Sequence, residues 1–240
     1  MLEIQHFELI EKLIQKELSK SIKEKLINFE KLFKIYNSHT NLVSKNDEKN
    51  LFEKHIYDSL ALGLFLKEFD IKEGAKILDI GTGGGFPSLP LSIVFPELQI
   101  FPLDSIAKKI GFIELVQKEL RLENIHPLCK RVEDLPADYK QSFDVVTSRA
   151  VASLNVLLEY AIPFLKTGCF FSAYKSINAD EEIKNAKNAL NRLYCTVEQR
   201  IKYDLPAVEQ HSRELLIIQK HKNTPAMYPR KSGLAKKNPL

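Results

Sequence analysis

The chain has 240 residues, 44% hydrophobic and 28% charged, the balance of a soluble globular fold. That length suits one large domain with an accessory segment, and no apolar run nears the roughly 20 residues that span a bilayer. The net charge of +4 is unevenly placed: residues 220–240 hold six Lys or Arg and no Asp or Glu, so the rest of the chain is slightly acidic. Such basic blocks are often solvated tails, and some bind polyanions. Cys129, Cys169 and Cys195 are odd in number and far apart, which argues against a disulfide framework or a local metal clip. They read as three thiols packed like small apolar side chains, in a reducing cytoplasm. The N-terminus mixes acids with its apolar residues and makes a poor secretory signal.

The first ~70 residues read as helical. Ile4, Phe7, Ile10, Ile14 and Leu18 recur at three- and four-residue steps, and Ile22, Leu26, Phe29, Leu32 and Phe33 repeat the pattern. "NSHTNLVSKND" breaks the periodicity and is expected to be a loop. A third helix is expected through "NLFEKHIYDSLALGLFLKEF". From Ile71 the texture changes. "AKILDI" is a β-rich run, followed by a glycine loop and "SLPLSIVF" as a short helix. "LQIFPLD", "NIHPLCK", "FDVVTSRA" and "CFFSAYK" read as further strands. Between them lie "SIAKKIGFIELVQKELRL", amphipathic, and "LNVLLEYAIPFL", closed by Pro163 and Gly168. "DEEIKNAKNALNRL" is a helix, and "YCTVEQRIKYDL" and "SRELLIIQK" are final strands, plausible as an antiparallel pair. Alternating strands and helices predict an α/β fold, a mostly parallel sheet covered on both faces and preceded by a helical segment. The expected division is a helical segment over 1–70, a core over 71–222 and a basic tail over 223–240, whose Pro, Gly and Lys disfavour a packed core.

The functional question sits in "ILDIGTGGGFPS". A P-loop needs a Lys and then Ser or Thr after its last glycine; here Phe86, Pro87 and Ser88 follow. A dinucleotide fingerprint counted from Gly81 would place its third glycine at 86, where Phe86 stands instead. Asp79, Gly81, Gly83 and Gly85 make D-x-G-x-G-x-G at a strand end, which resembles the first motif of class I S-adenosylmethionine-dependent methyltransferases. Glycines let the backbone lie close to the cofactor's amino acid and ribose. A carboxylate at Asp79 is expected to face the cofactor's ammonium. Asp104 ends the second strand and can take both hydroxyls of an adenosine ribose, or cap the next helix.

Further stretches carry a closer resemblance. "YNSHTNLVS", "HIYDSLAL", "ILDIGTGGGFPSLPLSI", "PLDS", "LENI", "RVED" and "SRAVASL" occur in order. Together they resemble the bacterial small-subunit ribosomal RNA guanine-N7 methyltransferase family, RsmG, also called glucose-inhibited division protein B. The likeness covers nearly the whole chain; Gly84, where many relatives carry Pro, is one departure. The resemblance implies S-adenosylmethionine as cofactor and 16S ribosomal RNA of the small ribosomal subunit as partner, with no membrane and a monomeric enzyme. It implies cofactor contacts from Gly81 and Phe86 in the loop, Val132 and Glu133 beside the adenine, and Arg149 after the fourth strand; Gly83 and Asp104 join this cofactor-binding set from the glycine motif and the second strand end. It places Asn41, His55 and Asp58 near the substrate, although ordinary caps and packing explain these nearly as well. No metal is expected. Guanine N7 has an in-plane lone pair and no proton to lose, so no general base is nominated. Alignment of N7, methyl carbon and sulfur is worth roughly 7–11 kcal/mol. Arg230, Lys231, Lys236 and Lys237, with Lys108 and Lys109, are candidates for RNA contact. The alternatives are a methyltransferase on another RNA, a protein or a small molecule, and a non-catalytic RNA-binding relative; Phe86 speaks against a dehydrogenase.

Overall fold

The computed structural model describes residues 2–176, 179–206 and 212–240. It opens with α1 (Ile4–Ile14), whose Phe7, Ile10, Leu13 and Ile14 are buried. Left-handed Gln15 ends this helix before the expected Leu18. In α2 (Lys20–Thr40) the Ser19 hydroxyl caps the first turn by accepting from the Ile22 amide. This helix runs on through part of the expected loop. Asn37 is the reason: its Oδ1 accepts from the Val43 amide at 3.0 Å and its amide donates to Glu48, so its side chain folds the following turn back onto the helix. Left-handed Asn41 then stops it, and α3 (Lys45–Lys49) follows. The third expected helix is present as a π-helical turn (Phe52–Tyr57), α4 (Asp58–Leu60) and α5 (Leu62–Glu68).

The remaining elements alternate. They are β1 (Lys76–Ile80), α6 (Ser88–Val94), β2 (Gln99–Asp104), α7 (Ala107–Leu120), β3 (Leu128–Cys129), β4 (Phe143–Arg149), α8 (Leu154–Ala161), β5 (Leu165–Ser176), α9 (Asp180–Asn185), α10 (Lys187–Arg192), β6 (Cys195–Asp204), β7 (Ser212–Lys220) and α11 (Leu234–Lys237). The seven strands form one sheet in the order β3-β2-β1-β4-β5-β7-β6. All neighbours pair parallel except β7, which is antiparallel to both β5 and β6. The strand order reverses between β1 and β4, and a crevice opens there outside the carboxyl ends of the strands.

One core lies under α1, α2, α5, α6 and α7, built on Phe29, Phe33, Phe65 and Phe112. The other lies under α8 and α10, built on Phe143, Phe164 and Phe171. Burying each such ring stabilises the fold by about 1.5–3 kcal/mol. The helices before residue 70 therefore form part of one layer over the sheet.

The basic tail packs, contrary to its composition. Tyr228, Ala235 and Leu240 are buried in the second core, and Arg230 forks onto the buried carboxylate of Glu159 at 2.6–3.1 Å. Lys220 is fully buried and donates to the carbonyls of Ile162 and Leu165, so it offers no charge to a polyanion. Its burial pushes its pKa down to about 8. The thiols also depart from a uniform buried set: Cys195 is buried, but Cys129 is exposed at the end of β3.

Candidate functional site

The chain leaves β1 at Ile80 and turns sharply. The amides of Gly81 and Thr82 both donate to the Leu103 carbonyl, at 2.8 and 3.1 Å, tying the turn to the end of β2. Gly81 has φ +74°, and a Cβ there would lie 2.4 Å from a Val151 methyl. Gly85 has φ +89°, and its Cβ would lie 2.4 Å from Leu89 in α6. The last glycine of the motif therefore serves helix packing rather than ligand approach.

Two hollows flank this turn and share Gly81, Lys109 and Ala150. The first, of about 360 Å³, is lined among others by Asp104, Ile106, Val132, Glu133 and Tyr160. Asp104 Oδ1 accepts from the Ile106 amide at 3.0 Å. Its Oδ2 accepts from the Gly83 amide at 3.1 Å and from Lys109 Nζ at 3.2 Å. This carboxylate both braces the entry to α7 and ties the glycine turn to β2. A carboxylate accepts about four hydrogen bonds, so capacity remains for a ligand hydroxyl. Glu133 Oε1 accepts from the Gly233 amide at 3.0 Å. Burial first, then the charge of Glu133 nearby, pushes the Tyr160 phenol up to about 12.

The second hollow, of about 690 Å³, lies between the glycine turn and the π-helical turn. Phe86 forms its floor, buried against Phe29, Phe33 and His55 with ring centroids 5.0–5.7 Å apart. Arg149, at the end of β4, lies over the Phe86 ring at 5.5 Å. Its Nη1 donates to the Lys54 carbonyl and to Asp58 Oδ2, both at 2.8 Å, and its Nη2 meets His55 Nδ1 at 3.0 Å. A guanidinium can only donate, so His55 Nδ1 must accept and the ring proton sits on Nε2. Burial first, then the Arg149 charge, lowers the His55 pKa to about 4, so the ring is neutral at pH 7. Tyr203 donates to the other oxygen of Asp58 at 2.6 Å, and Tyr174 donates to the Ser59 carbonyl at 2.7 Å. One arginine thus moors the whole "HIYDS" stretch to the carboxyl edge of the sheet.

The match to a family model spans residues 22–216, and the model is described as GidB, rRNA small subunit methyltransferase G. The chain belongs to this family. Ribosomal RNA small subunit methyltransferase G of Streptococcus pyogenes serotype M12 (strain MGAS2096) is 44% identical over 225 residues, 93% of each chain. That of serotype M49 (strain NZ131) is equally similar over the same span. Among solved structures, M. jannaschii TYW2 in complex with AdoMet matches with a TM-score of 0.52 at 14% identity, covering 62% of this chain and 70% of that one. A SAM-dependent O-methyltransferase from Thermotoga maritima matches at 0.50 and 16% identity, covering 70% and 66%. These two show the fold: the sheet of a class I methyltransferase, as the glycine motif suggested.

Gly81, Asp104, Val132 and Glu133 border the first hollow, and Gly81, Gly83, Phe86 and Arg149 the second. His55 and Asp58 reach the second hollow; Asn41 does not, being consumed as the left-handed end of α2 beside Leu42 and Val43, which do. Asp79 also departs from its expected place. It is fully buried and lines neither hollow; Ser88 donates to its Oδ2 at 2.7 Å, so it ties β1 to the start of α6. Burial outweighs that bond and raises its pKa to about 7, a poor partner for an ammonium group. Arg230 is spent on Glu159, whereas Lys231 and Lys237 stay exposed. Sequence reasoning missed Ile106, Tyr160 and Gly233 in the first hollow, and read Lys236, which also lines it, as an RNA contact. Ile106 offered one signal, a large apolar residue just past an acidic strand end, and it is 49% exposed. Tyr160 and Gly233 carried none.

Proposed function

We propose that this S-adenosylmethionine-dependent methyltransferase acts on N7 of a guanine in 16S ribosomal RNA of the small ribosomal subunit, as a cytoplasmic monomer. The observation that carries the reading is the pair of hollows meeting at Gly81, of a size with known ligand clefts. The residues fit the cofactor. A backbone without a Cβ at Gly81 sits between the two spaces, and Asp104 stands at the β2 end with acceptor capacity left for ribose hydroxyls. Val132, Glu133 and the exposed Ile106 would take the adenine; Gly83, Phe86 and Arg149 would border the methionine end. When bound, the cofactor supplies an activated methyl on a sulfonium.

The protein's own work is positioning. Arg149 holds the His55–Asp58 turn over Phe86, which shapes the second hollow for a purine. Guanine N7 carries no proton, so no base is required, and His55 is neutral with Nδ1 already engaged. Alignment of acceptor and methyl can then supply roughly 7–11 kcal/mol of the barrier lowering. Lys108, Lys231 and Lys237 are exposed around the site and are suited to phosphate. The test is incubation with labelled cofactor and small ribosomal subunits, with free RNA and metabolites in parallel. One added methyl on a mapped guanine, at N7, is the expected product; label transferred only to small molecules would overturn the substrate, and none at all the reaction.

A further inference from the structure

The first hollow has a wall that none of the strand-end motifs supplies. After β7 the chain packs against α8 and reaches the crevice. Its course is pinned at four points. Lys140 Nζ donates to the Tyr228 carbonyl at 3.0 Å. The backbone amide of Arg230 donates to Glu159 Oε1 at 2.9 Å, and its guanidinium forks onto both oxygens of the same carboxylate. Arg131 Nη1 reaches the Ser232 hydroxyl at 3.4 Å, and the Gly233 amide donates to Glu133 at 3.0 Å. Gly233 takes φ +81°, which turns the chain into α11, and Ala235 is buried beneath it. The result is that Gly233 and Lys236 line the same hollow as Asp104, Val132 and Glu133.

We propose that residues 228–240 are a cofactor-binding element, with Lys236 a direct contact at the nucleoside end and Glu133 the anchor that holds the segment there. This rests on the reading of the first hollow as the cofactor site. The chemistry is complementary. An ammonium only donates, while adenine ring nitrogens and ribose oxygens accept. Glu133 accepts from the Gly233 amide, which ties the segment to the strand-end side of the hollow. It fixes the wall from within the hollow, and the nucleoside is met by Val132, Glu133, Ile106 and the Lys236 side chain. The Arg230–Glu159 pair is largely withdrawn from water, so the segment is a built wall and not a loose end.

The test measures binding of S-adenosylhomocysteine by calorimetry to the full-length protein and to Lys236→Ala, with Lys118→Ala, an exposed residue on α7, as a charge-matched control. The expected result is affinity about five- to tenfold weaker for Lys236→Ala, with the control and all melting temperatures unchanged, since one hydrogen bond to a ligand is commonly worth about a factor of ten. Hydrogen exchange on the full-length protein supplies a readout free of mutation: saturating S-adenosylhomocysteine should slow exchange of the 230–237 amides, Gly233 foremost. If the wild type binds but Lys236→Ala matches it within twofold, or the 230–237 amides exchange as before, the wall is only packing and the inference falls. If the wild type itself fails to bind, it is the assignment of the hollow that fails.

Discussion

Replacing Arg149 by Ala should unmoor the "HIYDS" turn. The substitution removes the two 2.8 Å bonds to the Lys54 carbonyl and Asp58, the 3.0 Å contact with His55 and the cation over Phe86. Asp58, 7% exposed in its side chain, keeps only the Tyr203 hydroxyl among these partners. Breaking a buried ion pair from one side costs about 3–5 kcal/mol, because the remaining charge stays buried. For a chain of this length 1 kcal/mol moves the melting temperature by about 2–4 °C, so the expected loss is roughly 6–20 °C. Arg149→Lys keeps the charge but not the fork and should recover only part of it. Calorimetry on Arg149→Ala, Asp58→Asn and the double variant separates the pair: a coupling energy of about 2 kcal/mol or more is expected for groups in direct contact. A melting temperature for Arg149→Ala within about 2 °C of wild type, together with weakened S-adenosylhomocysteine binding, would refute the mooring and leave Arg149 as a plain cofactor contact.

The buried carboxyl and the buried imidazole should oppose each other with pH. Asp79, raised to about 7, stays protonated in the fold, so its contribution is full below the unfolded value of 3.8 and is lost as pH climbs toward 7. His55, lowered to about 4, stays neutral in the fold, so stability rises from pH 4 to the unfolded value of 6.5. Urea unfolding across that range should show a rising slope in Asp79→Asn and a falling one in His55→Gln, and slopes identical to wild type in both variants would contradict the assignment. Gly85→Ala meets Leu89 and keeps a left-handed φ, so denaturant melts should show about 1–3 kcal/mol lost, against about 1 kcal/mol at Gly74, where the space is open. Changing Lys231 and Lys237 together to Ala should shallow the salt dependence of RNA binding by roughly two phosphate contacts; an unchanged slope in filter binding would remove the tail from the RNA surface.

Much of the fold was legible because it depends on local pattern. The 3.6-residue stripe of α2 and the apolar runs of β1, β2, β4 and β5 record which face each element buries, and the D-x-G-x-G-x-G spacing records a turn that only glycines adopt. Order in the chain also marked Asp104 and Arg149, since strand ends in such a sheet converge on one crevice. What no local pattern carries is which way a side chain finally turns. Asp79 and Asp104 each stand near the end of a strand, yet one is sealed against Ser88 in α6 while the other borders a hollow. The tail shows the same limit more strongly: its Lys, Pro and Gly describe a solvated end, and only the carboxylates of Glu159 and Glu133, 71 and 100 residues away along the chain, turn it into a wall of the first hollow. Those partners are set by long-range packing, where a buried charge must find its counterpart, and that requirement exists only once the sheet has brought the two together.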